Sequence, residues 1–141
     1  MTQIYKHFLI VDDDPLNNRL MQMILKKLFD FVYVNDFAVA EDGLEFMKRE
    51  PSHNPPDGKT TLFLDINMPG MSGWEYLDEF ELLDDDIKMQ YDIYMVSSSV
   101  DYNDIKRAKE NPWVIDFIEK PLSNAKLQKI FPLLNDLNNS E

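Results

Sequence analysis

The sequence predicts an α/β fold built around a parallel β-sheet. Apolar runs of strand length alternate along the chain with segments whose apolar residues recur at helical spacing. Four apolar runs end directly in acidic, hydroxyl or basic residues that begin a turn; these runs are 8–11, 61–64, 93–96 and 114–118. In a parallel sheet the carboxyl ends of the strands share one edge, so the polar residues that follow should form one pocket.

The first part of the chain is predicted to hold two strands and two helices. Strand 1 is expected at about 6–11, and helix 1 from Pro15 onward, with apolar residues at helical spacing. Those apolar residues are Leu16, Leu20, Met23, Ile24 and Leu28. Two strand-like runs follow, at 31–34 and 37–40. We favour the second as strand 2, with the first as a connector or an extension of helix 1. Helix 2 is expected at about 43–49.

Residues 50–58 are predicted to form a loop, and the elements after it alternate in the same way. Strands are expected at about 60–65, 91–96 and 114–118, and helices at about 73–83, at about 102–110 and after Ser123. The acidic run 84–86 is predicted to be a solvated connector, Pro132 to end the last helix and 135–141 to be frayed. With no internal repeat, residues 1–141 are assigned to a single domain.

The composition excludes several classes of function. The 141 residues are 44% hydrophobic and 28% charged, as in soluble globular proteins. The net charge of −12 repels phosphate backbones, so direct nucleic-acid binding is not expected. The absence of cysteine excludes disulfides, thiolate metal sites and cysteine nucleophiles. No apolar run approaches the roughly 18 residues of a membrane span and no signal peptide is recognisable, so a cytoplasmic protein is expected.

Three aspartates stand at the ends of predicted strands 1 and 3: Asp12 and Asp13 after the first, and Asp65 after the third. A solvated turn is the ordinary alternative for each of these residues. If the two strands are neighbours, however, the carboxylates converge, and two charges about 4 Å apart repel by roughly 4 kcal/mol at an effective dielectric constant near 20. Something must offset this repulsion, and oxygen ligands without nitrogen or sulfur favour a hard cation, Mg²⁺ first.

Lys120 and Ser97 complete a candidate phosphoryl-binding set. The three aspartates carry three negative charges, and Mg²⁺ with Lys120 carries three positive ones. A phosphoryl group on Asp65 would therefore be held by metal, ammonium and hydroxyl groups, which phosphoryl transfer requires. An aspartate carboxylate is a known type of covalent phosphoryl acceptor. Ordinary alternatives exist: Ser97 can simply end a strand, and Lys120 can simply face solvent.

With these residues the sequence resembles the receiver domain of bacterial-type two-component response regulators. The matching segments are 8–14 (FLIVDDD), 64–73 (LDINMPGMSG), 95–98 (MVSS) and 117–121 (FIEKP), and they follow one another in the family's order. The resemblance implies a doubly wound, flavodoxin-like three-layer α/β/α sandwich with five parallel strands in order 2-1-3-4-5. It also implies a cis peptide bond between Lys120 and Pro121.

The same resemblance implies the acceptor and the metal ligands. Asp65 would be phosphorylated by a histidine kinase or a histidine phosphotransfer protein. Asp13 and Asp65 would bind Mg²⁺ directly, together with the backbone carbonyl of Asn67. Asp12 would act mainly through water.

Signalling, by resemblance, would pass through Ser97 and Phe117. Ser97 and Lys120 would bind the phosphoryl group, and Phe117 would be the aromatic residue of the switch. The fourth helix, fifth strand and fifth helix would form the face that binds a downstream protein. Trp113 and Phe117 would be apolar contacts there, unless Trp113 belongs to the core. The family more often has Thr at the position of Ser97 and Tyr at that of Phe117.

A receiver without an attached output domain is expected, because the chain ends about one helix after Lys120; a segment of a larger regulator or hybrid kinase would look similar. Such a domain is not an enzyme beyond its own phosphoryl transfer and autodephosphorylation. A monomer or a weak, phosphorylation-dependent dimer is expected. A Mg²⁺-dependent phosphohydrolase would want a second acid–base carboxylate near Asp65, where Asn67 stands instead. The intact aspartates and Lys120 disfavour a metal-independent scaffold.

Overall fold

The computed structural model describes residues 6–49 and 59–131, and these ranges contain five strands and six helices. The strands are β1 (Lys6–Val11), β2 (Val32–Phe37), β3 (Thr60–Asp65), β4 (Tyr91–Ser97) and β5 (Val114–Glu119). The helices are α1 (Pro15–Leu28), α2 (Ala40–Arg49), α3 (Gly73–Glu81), α4 (Asp85–Lys88), α5 (Tyr102–Glu110) and α6 (Asn124–Ile130). The predicted loop 50–58, the role of Pro132 and the frayed end 135–141 lie outside the described residues.

All five strands are parallel and lie in the order β2-β1-β3-β4-β5. Alternate residues of a strand face opposite sides of the sheet, so Phe8 and Ile10 of β1 join one apolar cluster while Leu9 and Val11 join the other. Helices α1 and α6 contribute to the first cluster, and α2, α3 and α5 contribute to the second. The doubly wound, three-layer α/β/α sandwich is therefore confirmed.

The prediction for strand 2 is wrong. The structure forms β2 from Val32–Phe37, which takes in most of the 31–34 run that was assigned to a connector. Ala40 begins α2 instead of ending a strand, so this helix also starts three residues early. β2 is the edge strand beside β1, and an edge strand tolerates exposed polar residues such as Asn35 and Asp36. These two residues interrupt the apolar pattern without interrupting the strand.

The buried face of α1 also differs from the apolar stripe in the sequence. The structure buries Asn18, Met21 and Leu25 against the sheet. Three apolar residues of the predicted stripe are instead at least half exposed; they are Leu16, Leu20 and Met23. Since α1 carries apolar residues on more than one side, periodicity alone could not identify the side that packs.

Helix α4 was not expected, because the acidic run 84–86 was predicted to be a connector. Lys88 stabilises this helical turn from within the protein. Its Nζ donates to the carbonyl oxygen of Glu81 at 3.0 Å and lies 5.2 Å from the centre of the Trp113 ring. With α4 added, the fourth and fifth predicted helices correspond to α5 and α6.

The remaining boundaries agree with the sequence prediction to within two residues. Asp14 caps α1 by accepting hydrogen bonds from the amides of Leu16 and Asn17, and Ser123 caps α6 as predicted. The Lys120–Pro121 peptide bond is cis, as the resemblance implied. Across 6–49 and 59–131, no helix combines the length and apolar composition that crossing a membrane requires.

Candidate functional site

The register of β1 against β3 brings the acidic residues together. Val11 of β1 pairs with Leu64 of β3. The residue after each of them is an aspartate, so Asp12 and Asp65 leave the sheet side by side at its carboxyl edge. The convergence predicted for these carboxylates is therefore present.

The register of β4 adds the hydroxyl and the ammonium to the same edge. Asp65 pairs with Val96, so Ser97 stands one residue further along the neighbouring strand. Ser97 in turn pairs with Glu119 of β5, and the amide of Lys120 donates to the Ser97 carbonyl oxygen at 2.8 Å. Side chains from four strand ends thus line one pocket.

A buried network of ion pairs joins Lys120 to two aspartates. Its Nζ lies 2.6 Å from Oδ2 of Asp12 and 3.3 Å from Oδ1 of Asp65. Asp12 is 2% exposed and Asp65 is 4% exposed. Buried carboxylates require such partners, because removing a charge from water is costly. The alternative in which Lys120 simply faces solvent is therefore wrong.

Asp13 lies on the solvent side of this network and is exposed. Oxygen atoms of Asp12, Asp13 and Asp65 all lie within 4.8 Å of one another. An acidic donor set made of oxygen alone fits Mg²⁺, which prefers carboxylate and carbonyl ligands. These three aspartates are the residues that could hold the cation, and Asn67 follows in the loop after β3.

The proton affinities of Asp65 and Lys120 follow from their burial and their neighbours. Burial raises the pKa of Asp65 to about 7, the charge of Asp12 adds to the rise, and Lys120 opposes it. Burial would lower the pKa of Lys120, but its hydrogen bond to Asp12 and the two carboxylate charges outweigh burial and raise it. Near neutral pH, metal-free Asp65 is therefore divided between its protonated and ionised forms, while Lys120 stays charged.

Ser97 is fully buried, and its hydroxyl oxygen accepts two hydrogen bonds. Nδ2 of Asn67 donates to Ser97 Oγ at 3.2 Å, and the backbone amide of Ser99 donates to the same oxygen at 3.3 Å. The hydroxyl proton remains for Ser99 Oγ, 3.5 Å away, or for a phosphoryl oxygen. The contact between Asn67 and Ser97 was not predicted.

Gly73 holds the loop after Asp65 against the end of β3. Its amide donates to the carbonyl oxygen of Ile66 at 2.8 Å. A Cβ atom at Gly73 would lie 2.5 Å from the carbonyl oxygen of Asp65, so a larger residue would force the backbone apart. Ser72 and Glu75 form a capping box that begins α3 at this point. The backbone of Asp65 is thereby fixed relative to α3.

Two asparagines of α1 contact Asp12 and were missed by the sequence reasoning. Nδ2 of Asn17 donates to Asp12 Oδ2 at 2.8 Å, and Nδ2 of Asn18 donates to the Asp12 carbonyl oxygen at 2.9 Å. The amide of Asp14 donates to the other carboxylate oxygen of Asp12 at 2.9 Å. A signal was available, because Asn17 falls in the first turn of a helix that begins directly after the acidic run.

The two aromatic residues assigned to the signalling face pack against the core. Phe117 and Trp113 are both half-buried against the cluster covered by α2, α3 and α5. Trp113 meets Phe80 edge-on, with ring centres 5.6 Å apart. The alternative that Trp113 belongs to the core is therefore supported. Large exposed apolar residues in this region include Tyr102 and Ile115 instead.

Trp74 connects the start of α3 to α5. Its Nε1 donates to Asp104 Oδ1 at 2.9 Å, and the guanidinium carbon of Arg107 lies 4.7 Å from the centre of its ring. Trp74 follows Gly73 directly, and Gly73 packs on the backbone of Asp65. These contacts join the loop after Asp65 to α5.

Comparison with known families agrees with this geometry. The family model described as the response regulator receiver domain matches residues 8–131. This range contains every residue of the candidate site.

Curated relatives occur in bacteria and in a plant. The transcriptional regulatory protein BtsR of Escherichia coli is 31% identical over 121 residues, which cover 86% of this chain and 44% of BtsR. The two-component response regulator ARR22 of Arabidopsis thaliana is 32% identical over 130 residues, which cover 92% of this chain and 81% of ARR22. The chain thus spans less than half the length of BtsR.

Solved structures share the fold at lower identity. A two-component response regulator from Cytophaga hutchinsonii superposes with a TM-score of 0.80 at 24% identity, covering 96% of this chain and 99% of that one. A response regulator receiver protein from Dyadobacter fermentans gives a TM-score of 0.78 at 24% identity, covering 94% and 98%. These similarities support the same five-stranded α/β/α architecture.

Proposed function

The chain belongs to the response regulator receiver domain family, and on that basis we propose that Asp65 is its phosphoryl acceptor in a two-component system. One observation carries this proposal. Asp65 ends β3 inside a pocket where Lys120 lies 3.3 Å from its carboxylate and Asp12 and Asp13 offer further oxygen ligands. A nucleophile, a counter-charge and cation ligands therefore share one edge of the sheet.

The proposed transfer forms a bond between a carboxylate oxygen of Asp65 and phosphorus. The P–N bond of a phosphohistidine donor breaks as this bond forms, and the imidazole keeps the electron pair. Lys120 neutralises charge on the phosphoryl oxygens, and the Ser97 hydroxyl donates to one of them. Such positioning and charge neutralisation account for most of the catalysis of phosphoryl transfer.

The proposal includes a requirement for Mg²⁺. Asp13, Asp65 and the carbonyl of Asn67 would hold the cation, with Asp12 acting through water. The cation would neutralise phosphoryl charge and favour the ionised form of Asp65. Without the cation, burial and the charge of Asp12 outweigh the effect of Lys120 and raise the pKa of Asp65 to about 7, so the metal-free carboxylate is a weaker nucleophile at neutral pH.

A histidine kinase or a histidine phosphotransfer protein is the proposed donor, and α1 is its proposed docking surface. This helix borders the site and presents three large apolar side chains to solvent: Leu16, Leu20 and Met23. It carries three basic residues and no acidic one, in a chain whose net charge is −12. An exposed apolar face with local positive charge suits a partner of acidic and apolar character.

The proposed output surface is formed by α5, β5 and α6. A phosphoryl group on Asp65 would draw the Ser97 hydroxyl away from Asn67, and Phe117 would turn into the space left behind β4. The driving force is burial of an aromatic ring, without the hydrogen bond that a tyrosine could add. A downstream protein, or a second copy in a weak phosphorylation-dependent dimer, would bind the altered surface; otherwise the chain is monomeric.

We propose no turnover beyond the chain's own phosphoryl transfer and autodephosphorylation. A phosphohydrolase with an aspartyl-phosphate intermediate would use an acid–base carboxylate where Asn67 stands, and the amide of Asn67 is bonded to Ser97. Repeated release of phosphate from a phosphomonoester would favour that alternative. A cytoplasmic location, expected from the sequence, remains part of the proposal.

Phosphorylation with a small donor tests the assignment of Asp65. The protein is incubated with Mg²⁺ and acetyl phosphate, and the acid-labile phosphate is mapped. The wild type and Asp86→Asn, which alters an exposed carboxylate of α4, should take one phosphate. Asp65→Asn should take none. Full labelling of Asp65→Asn would overturn the proposal.

A further inference from the structure

We propose that Asn17 is a positioning residue of the acidic pocket: its amide keeps the Asp12 carboxylate oriented toward the cation, both before and after the Lys120 ammonium moves to the phosphoryl group. The inference rests on the proposed function, because it concerns the same pocket. It adds a residue of α1 to a site otherwise built from strand ends.

Three donors hold the carboxylate of Asp12. Its Oδ2 accepts from Lys120 Nζ at 2.6 Å and from Asn17 Nδ2 at 2.8 Å. Its Oδ1 accepts from the backbone amide of Asp14 at 2.9 Å. At 2% exposure Asp12 has almost no access to water, so these donors must provide its solvation.

The contact with Lys120 is the one that changes during the proposed reaction. Lys120 Nζ is already 3.3 Å from Asp65 Oδ1, and its flexible stem lets the ammonium follow new negative charge. When the phosphoryl oxygens appear on Asp65, the ammonium is drawn toward them and away from Asp12. Asn17 is then the side-chain donor that remains on Asp12 Oδ2.

A neutral amide is suited to this task. A basic side chain in the place of Asn17 would neutralise Asp12 and compete with the cation for it. The amide orients the carboxylate and leaves its negative charge available. Partners of this kind, which orient a metal-binding group from behind, commonly alter metal affinity by about 10- to 100-fold when they are removed.

The backbone around Asn17 is well placed to hold it. The amide of Asn17 points at the Asp14 side chain that caps α1, at 3.4 Å. The next residue, Asn18, is buried and anchors the carbonyl of Asp12 at 2.9 Å. Hydrogen bonds within the segment from Asp12 to Asn18 therefore hold it in one conformation. The first turn of α1 in this way directs the Asn17 side chain toward Asp12.

The test is Mg²⁺ binding, measured by calorimetry, together with phosphorylation rates over a range of Mg²⁺ concentrations. Asn17→Leu, which has similar volume and lacks the amide, should raise both the dissociation constant and the half-saturating Mg²⁺ by about tenfold. The rate at saturating Mg²⁺ should recover, because the bound cation would then orient Asp12 through water. Asn17→Gln, which keeps an amide donor, should restore most of the affinity.

Gln22→Leu is the matched control, because this amide lies on the same helix and donates to Asp36 outside the pocket. It should leave both Mg²⁺ constants unchanged. Asn17→Ala, which favours the helix, gives the same answer if the leucine variant does not fold. Wild-type Mg²⁺ affinity in folded Asn17 variants would overturn the inference. A wild type that binds Mg²⁺ but takes no phosphate would instead overturn the proposed function, while the binding data still decide the role of Asn17.

Discussion

Lys120 lies closer to Asp12 than to Asp65, with Nζ 2.6 Å from Asp12 Oδ2 and 3.3 Å from Asp65 Oδ1. The ammonium therefore interacts more closely with Asp12, which is not the proposed acceptor, than with Asp65. Asp65 is left incompletely neutralised, so burial and the charge of Asp12 raise its pKa to about 7 in spite of Lys120. This uneven sharing of one charge determines how the metal-free protein should respond to pH, to Mg²⁺ and to mutation.

Asp65→Asn should stabilise the metal-free protein at pH 8. The pKa of Asp65 is about 7 in the folded state against 3.8 for an unperturbed aspartate, so the folded state binds more protons between those pH values. The contribution of this proton to the free energy of unfolding is fully present at low pH, and it is lost as the pH rises from about 4 through 7. Asparagine removes the buried charge, and the gain at pH 8 should be on the order of 2 kcal/mol.

Urea unfolding in the presence of a chelator measures this effect at pH 8 and at pH 5. The gain of Asp65→Asn should be smaller at pH 5, where the folded wild type is already protonated. Asp86→Asn, at an exposed position, controls for the change in net charge. A gain that does not depend on pH, or a loss at pH 8, would contradict the prediction.

Mg²⁺ affinity should fall as pH decreases below about 7, because the cation and the proton compete for Asp65. The expected slope is about tenfold in affinity per pH unit for one competing proton. Trp74 fluorescence in a Trp113→Phe background, or calorimetry, provides the measurement. Asp13→Ala should weaken binding throughout this range, and unchanged affinity in that variant would refute the assignment of Asp13.

Lys120→Met should destabilise the metal-free protein by about 3 kcal/mol at pH 8, because breaking a buried ion pair leaves an uncompensated charge. Mg²⁺ should restore part of the loss by supplying positive charge to the same carboxylates. Urea unfolding with and without Mg²⁺ measures both effects. Lys106→Met, on the exposed side of α5, is the control. Equal stability of the two variants would show that the ion pair contributes little.

Asp104→Ala should weaken the response of α5 to phosphorylation, because the bond from Trp74 Nε1 to Asp104 joins the two helices at 2.9 Å. Hydrogen exchange with and without beryllofluoride, a phosphoryl mimic, measures the response. The wild type and Lys106→Ala should show changes across 97–121. Asp104→Ala should lose the exchange changes in Tyr102–Glu110, while the rate at which Asp65 is phosphorylated should equal that of the wild type.

If beryllofluoride changes the hydrogen exchange of the wild type only near Asp65, and not in 97–121, the proposed switch is wrong. The acceptor assignment would stand in that case, because it depends on the pocket and not on α5. Since the two conformations are expected to be in equilibrium, the unmodified protein should populate the active one to a small extent.

The sheet and the pocket were predictable because their signals are local. Each buried strand is a short apolar run, and the site residues lie within three residues of the end of such a run, as Asp12 and Lys120 do. Parallel strands then align these ends, whatever the details of the connecting helices. The convergence of Asp12 and Asp65 also required strands 1 and 3 to be neighbours, and that strand order came from the family resemblance.

The errors arose where the tertiary environment overrides the local pattern. β2 is an edge strand and keeps Asn35 and Asp36, whereas a central strand would exclude them. α1 has apolar residues on two sides, so its apolar pattern does not identify the buried side. Asn18 is polar but buried, because its amide donates to the Asp12 carbonyl oxygen. The contact between Asn17 and Asp12 depends on the entry angle of α1, which spacing does not specify.

The site is assembled by strand register from segments that are distant in the chain, and this has a consequence for folding. Residues 12, 65, 97 and 120 meet after β1, β3, β4 and β5 have paired, and closing such loops is slow and entropically costly. A slip of one residue in any strand would turn its side chains to the opposite face. Misaligned sheets would then bury carboxylates without Lys120, so the charges that form the pocket also disfavour incorrectly paired intermediates.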